Sequence, residues 1–232
     1  MKEQIIAIGG GGFTEAVDDL ILERYILEQS KKTKPKVCFI ASASGDSQEY
    51  IDGFYSSFAN LSCETFNLSL FKLPTKDLEG FILEQDVLYV GGGNTRSMLA
   101  LWREWGLDVT LRKAWQLGIV LGGVSSGSVC WFEETLSDFL PGELGRLRCL
   151  GFLAGSNCPH YDTEPQRRPT YRKMVAEGEL AAGIAADDGV ALHYVGTELL
   201  RVVSSRPRAR AYKVIKAPVE IEETITPVYL GN

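Results

Sequence analysis

The chain has 232 residues, of which 45% are hydrophobic and 23% charged, with a formal net charge of −6 and a sequence pI of about 5.1. This suits one compact α/β domain spanning residues 1–232 with an ordinary core. The acidic balance excludes a general nucleic-acid-binding face, leaving only a local basic pocket at Arg167-Arg168, and no apolar run approaches the ~18 residues of a membrane span.

The N-terminus lacks the long apolar region and cleavage site of a signal peptide. The five cysteines are an odd number without CxxC spacing, so free thiols in a reducing cytoplasm are expected. With two histidines and no paired ligand motif, no metal site is expected.

In chain order, Ile5-Ile6-Ala7-Ile8 reads as a strand ending in Gly9 to Gly12, the pattern of a first βα turn. Glu15 to Ser30 reads as a helix, with Val17, Leu20, Ile21, Ile26 and Leu27 at helical spacing. A dinucleotide loop would need a glycine where Thr14 stands, so the glycines read as a structural turn. Strands are expected at Lys36 to Ile40, Cys63 to Leu68, Asp86 to Val90 and Ile119 to Val124, and helices at Gln48 to Asn60, Pro74 to Glu84, from Asn94 through Trp102, and Leu107 to Leu117. Strand–helix alternation of this kind predicts a doubly wound, mostly parallel sheet.

Beyond residue 132 the pattern changes. Glu133 to Asp138 is acidic and Pro141-Gly142 marks a turn. Pro169 suits the first turn of a helix over Thr170 to Glu177. Ile184-Ala185-Ala186 and Val190 to Tyr194 flank Asp187-Asp188-Gly189, which reads as a hairpin turn. Leu199 to Ser204 and Ala211 to Lys216 read as further strands, so the C-terminal part is expected to be antiparallel. Four tryptophans and several aromatics that read as exposed hint at an interface, which leaves a homodimer open.

Chemistry concentrates at Val120-Leu121-Gly122-Gly123-Val124-Ser125-Ser126-Gly127-Ser128. An apolar strand runs into Gly-x-Ser-x-Gly and then into a helix, an elbow that pushes a serine hydroxyl out beside a helix N-terminus. A serine needs a base to take its proton, and imidazole is the usual one. His160 lies in a polar loop fixed by Pro159, whereas His193 lies in an alternating strand and reads as structural. A third group should orient the imidazole. Asp138 is the first choice, with Glu133, Glu134 and Asp188 as competitors. Gly91-Gly92-Gly93 offers bare amides at a strand end, a candidate oxyanion hole.

Val90-Gly91-Gly92-Gly93-Asn94-Thr95, Gly123-Val124-Ser125-Ser126-Gly127 and Asn157-Cys158-Pro159-His160-Tyr161, in this order, resemble the peptidase E (aspartyl dipeptidase) family, which is related to cyanophycinase. The resemblance covers most of the chain. It implies a class I glutamine amidotransferase-like fold and hydrolysis of a small peptide through an acyl-enzyme, without metal or organic cofactor. It also implies Ser125 as nucleophile, His160 as base, and Gly92 with the Ser126 amide as oxyanion hole. Asp138 falls near the family's triad aspartate, across a shorter intervening segment, and Asp188 falls where the family often has a glutamate. The family usually has alanine where Ser126 stands. Its preference for N-terminal aspartate uses an arginine after the histidine loop, for which Arg168 or Arg167 is the candidate; Gln166-Arg167-Arg168-Pro169 departs from that pattern. The remaining alternatives are an esterase and a binding or regulatory protein that keeps the fold without catalysis.

Overall fold

The computed structural model describes residues 2–13, 20–140, 142–216 and 222–231. The first half alternates as expected: β1 (Gln4–Ile8), α1 (Ile21–Gln29), β2 (Lys36–Ile40), α2 (Gln48–Phe58), β3 (Glu64–Leu68), α3 (Leu78–Leu83), β4 (Val87–Val90), α4 (Thr95–Glu104), α5 (Leu107–Gln116), β5 (Val120–Val124) and α6 (Ser126–Val129). Residues 14–19 of the expected first helix, Val17 among them, lie outside the described residues. The remainder comprises β6 (Phe132–Leu140), β7 (Glu143–Arg148), β8 (Leu153–Cys158), α7 (Arg167–Glu177), β9 (Gly183–Ala186), β10 (Val190–Val195), β11 (Glu198–Ser204), β12 (Ala211–Val214), β13 (Glu222–Ile225) and β14 (Val228–Tyr229).

The first sheet has eight strands in the order β14-β11-β10-β1-β5-β4-β2-β3. Strands β1 to β5 run mutually parallel, and β10 joins β1 antiparallel. The central strands read as unbroken apolar runs because both faces are covered. Alternate residues serve opposite cores. Ile5, Ala7, Cys38, Ile40, Leu88, Val90 and Leu121 face α3, α4 and α5. Ile6, Ile8, Val37, Phe39, Val87, Tyr89 and Val120 face α1 and α2. Trp102 and Trp131 are fully buried and Trp115 nearly so, which leaves only Trp105 exposed. The tryptophans are therefore mostly core, not interface. All five cysteines are free, as expected, and Cys38, Cys130 and Cys158 are buried.

The second sheet, of six strands in the order β13-β12-β9-β8-β6-β7, differs from expectation in two places. The acidic stretch 133–138 is part of β6, which pairs antiparallel with β7 and parallel with β8. Pro141 of the expected turn lies outside the described residues. The expected hairpin at Asp187-Asp188-Gly189 is not one. Strand β9 pairs with β8 and β12, whereas β10 pairs with β1 and β11. The link between them is pulled both ways: Asp187 N donates to Arg210 O of the second sheet's side, and Gly189 N to Gly10 O at the end of β1. It thus carries the chain from one sheet to the other. The expected antiparallel character holds for β10, β11, β12 and β13, while the short β14 lies parallel to β11. No helix among the described residues is long and apolar enough to cross a membrane.

The elbow is seated on β4 by missing side chains. A Cβ at Gly127 would stand 2.1 Å from Val90 O, and one at Gly123 2.3 Å from the same carbonyl. Backbone must move to admit either. Gly127→Ala is expected to lower stability by about 3 kcal/mol, measured by urea unfolding; an unchanged midpoint would show that the elbow is not held by this contact.

Candidate active site

Ser125 caps the short α6 with φ 57° and ψ −109°, a strained geometry for a residue with a Cβ. It is only partly buried. On the neighbouring side, β8 runs into Pro159-His160, and His160 also has a positive φ, 52°. His160 Nε2 lies 2.9 Å from Ser125 Oγ, and Nδ1 lies 2.8 Å from Asp188 Oδ1. With Asp188 accepting from Nδ1–H, Nε2 is left to accept the serine proton.

Asp188 is itself held. Thr163 Oγ1 donates to its Oδ2 at 2.7 Å, and its own N–H donates to Asp162 Oδ1 at 2.9 Å. Arg206 Nη1 donates to Asp188 O and to Asp162 Oδ2, both at 2.9 Å. Burial works to raise the Asp188 carboxyl, but hydrogen bonds from His160 and Thr163 outweigh it and hold the group below its ordinary value. Asp162, Thr163 and Arg206 were not singled out in the sequence. The only local signal was their polar, loop-like setting.

The expectation that Asp138 orients His160 does not hold in the structure. Asp138 is 62% exposed and lies 3.5 Å from Arg167 Nη2. Being on β6, it belongs to the second sheet's edge hairpin, whereas His160 Nδ1 faces the link between the sheets. The other two competitors are also spent elsewhere: Glu133 accepts from Gly155 N at 2.7 Å, and Glu134 pairs with Arg146 and accepts from Ala181 N. His193 is buried, as its strand position suggested. It contacts Tyr25 Oη at 2.6 Å and Gln4 Oε1 at 3.1 Å, and burial pushes it down to about 4.

Around the serine, a Cβ at Gly92 would stand 3.3 Å from Ser125 Cβ, so the glycine strip lies against the nucleophile. The Gly92 amide is not open, however; it donates to Tyr50 Oη at 3.1 Å. The Ser126 amide sits in the first turn of α6, where helix N–H groups have no intrahelical partner. Arg167 is buried and pairs with Glu164, Asp138 and Leu136 O, which ties α7 to β6. Arg168 pairs with Glu222 and lies over the rings of Tyr212 (4.7 Å) and Tyr161 (5.5 Å). Neither guanidinium stands free. A cavity of about 330 Å³ adjoins Thr163, with Asp138, Glu143, Leu144 and Glu164 in its walls.

Comparison with known proteins places the chain in a family. The sequence model of Peptidase family S51 matches residues 5–202. An uncharacterized peptidase, YgaJ, of Bacillus subtilis (strain 168) is 54% identical over 230 residues, covering 99% of this chain and all of that one. Among solved structures, a peptidase from an acI-B1 Actinobacterium superposes with a TM-score of 0.71 at 17% identity, covering 98% of this chain and 95% of that one. A putative peptidase E protein from Listeria monocytogenes EGD-e gives 0.62 at 18% identity, over 86% and 98%. The chain belongs to peptidase family S51, and the two structures share its α/β fold.

Next to Asp188, the buried Asp187 has one carboxylate oxygen, Oδ1, without a hydrogen-bond partner. Burial, reinforced by the charge of Asp162 and countered by a hydrogen bond from Arg210 N, pushes Asp187 from 3.8 up to about 6. The folded state therefore binds this proton more tightly than the unfolded chain. The resulting stability is present below 3.8 and is lost as pH rises through about 6. Asp187→Asn, neutral at every pH, is expected to melt higher than wild type at about pH 8, with the gap closing toward about pH 4. A gap that does not change with pH would disprove the assignment.

Proposed function

We propose that this member of peptidase family S51 is a serine peptidase acting on small peptides through an acyl-enzyme. The observation that carries the reading is the hydrogen-bonded line Ser125–His160–Asp188, at 2.9 and 2.8 Å. Ser125 Oγ attacks the scissile carbonyl carbon while its proton passes to His160 Nε2. Asp188 holds the imidazole tautomer and stabilises the imidazolium. The carbonyl oxygen takes the negative charge and is stabilised by the Ser126 amide, with the Gly92 amide on the other side once substrate oxygen takes it over from Tyr50. The C–N bond then breaks, His160 gives its proton to the leaving amine, and the acyl-Ser125 ester remains. Water, deprotonated by His160, cleaves that ester and returns Ser125 to its starting state.

The cavity beside Thr163 falls within the volume range of small-ligand sites. Asp138 belongs to its wall, where its carboxylate pairs with Arg167. The preference for Asp-X dipeptides implied by the resemblance depends on Arg168. Its charge is already matched by Glu222, so a substrate carboxylate has to displace an internal one. Neutral dipeptides are therefore expected to be cleaved at least as fast as Asp-X.

A panel of Asp-X, Glu-X and neutral dipeptides, assayed with wild type and Ser125→Ala, tests both points. Amino-acid release by wild type alone supports the serine mechanism, and equal release by Ser125→Ala sinks it. Strong preference for Asp-X would show that Glu222 yields Arg168 to substrate. In the same assay Asp188→Asn is expected to lower kcat by about 10³- to 10⁴-fold, while Asp138→Asn stays within a few-fold of wild type. The reverse order would return the orienting role to Asp138.

A further inference from the structure

Ser126 contributes more than an amide to its surroundings. Its side chain is buried, and its Oγ donates to Gly93 O at 2.6 Å. Thr95 Oγ1, also buried, donates to Ser126 Oγ at 2.9 Å. The hydroxyls thus form a directed chain from Thr95 through Ser126 to the Gly93 carbonyl. That carbonyl belongs to the Gly93–Asn94 peptide, whose N–H donates to Ala43 O at 2.8 Å. Both polar ends of one peptide unit are therefore fixed, one to the elbow and one to the loop after β2. Gly93 has φ 139°, and a Cβ there would stand 2.2 Å from Ala43 O, so the segment has no slack on that side. Gly92, one residue earlier, lies against Ser125.

From this geometry, and resting on the serine-peptidase reading above, we infer that Ser126 is a positioning residue for the oxyanion site. Its amide faces the developing charge from the elbow. Its hydroxyl, with Thr95 behind it, holds the glycine strip at a set distance from Ser125. Two walls of the site that lie some 30 residues apart in sequence are latched together by one side chain. Preorganised donors stabilise a transition state only while they stay where the charge develops, and small displacements carry large rate penalties. The latch therefore acts on the rate of attack more than on ligand affinity.

A fluorophosphonate probe reads this step without knowledge of the substrate. Ser125 Oγ bonds to phosphorus, the P–F bond breaks, fluoride leaves, and the serine proton goes to His160. Saturation kinetics separate the limiting rate from the half-saturating concentration. Ser126→Ala, which keeps the amide, is expected to react about tenfold more slowly at saturation, with half-saturation within about twofold of wild type. Thr95→Val removes the second hydroxyl at constant shape and is expected to slow the reaction about threefold, while Thr95→Ser retains the wild-type rate. Since Thr95 acts through Ser126, the double variant should be no slower than Ser126→Ala. A structural role alone would lower thermal stability and leave the limiting rate of folded protein unchanged, and that result overturns the latch. So do multiplying effects in the double variant. If Ser126→Ala does not fold, the Thr95 pair decides: equal rates for Thr95→Val and wild type overturn it. Labelling that persists in Ser125→Ala sinks the serine reading and the latch together. Labelling lost in Ser125→Ala but equally fast in Ser126→Ala and wild type sinks the latch only.

Discussion

Three successive carbonyls at the end of β1 hold the three members of the site. Ile8 O accepts from Ser125 N at 3.1 Å, Gly9 O from His160 N at 3.2 Å, and Gly10 O from Gly189 N, just past Asp188, at 2.9 Å. Strand β1 lies between β5, which delivers the serine, and β10, which begins just after the aspartate. The imidazole comes from the second sheet and closes on the same strand end. Position 10 leaves no room for a side chain: a Cβ there would stand 1.8 Å from Asp188 Oδ1 and 2.4 Å from His160 Nδ1. The glycines after β1 are therefore the floor on which the hydrogen-bonded line rests.

That floor also explains how the backbone strain persists. Ser125 and His160 both adopt positive φ, which is unfavourable for residues carrying a Cβ. Such conformations survive when the surrounding contacts over-determine them. Here each strained residue is fixed by its own N–H to β1 and by its side chain to the other. Around Ser125, β5 and α6 sit so close to Val90 O that only glycine fits at positions 123 and 127. Packing on β4 and hydrogen bonds to β1 together hold the serine outward.

The legible parts of this site in the sequence were the local ones. A strand, a Gly-x-Ser-x-Gly turn and a helix are neighbours along the chain, so periodicity and glycine placement reveal them, and the same holds for the five parallel strands. His160 stood out because only two histidines exist and the other lay in an alternating strand. The third group was not legible, because a sheet-to-sheet crossing brings it to His160. Asp187-Asp188-Gly189 between two apolar runs has the composition of a hairpin turn, and only long-range pairing shows that its flanking strands belong to different sheets. Gly9 to Gly12 likewise read as an ordinary βα turn, since what fills the space above Gly9 and Gly10 comes from residues 160 and 186 to 188. Arg167 and Arg168 read as an open basic pair because their partners, Asp138, Glu164 and Glu222, are distant in sequence or lie one turn away.

The charge layout then limits how the site can stabilise a reaction. Arg167, Arg168 and Arg206 are each matched by carboxylates. The positive charge that His160 gains on taking a proton meets Asp188 directly. In the proposed mechanism the negative charge on the substrate oxygen falls to backbone amides at the elbow and the glycine strip. An amide carries a partial charge, so its contribution depends on direction and distance more steeply than that of a mobile ammonium or guanidinium. A site built on amides must fix its backbone, and three hydroxyls act on it here: Ser126, backed by Thr95, on the Gly93 carbonyl, and Tyr50 on the Gly92 amide.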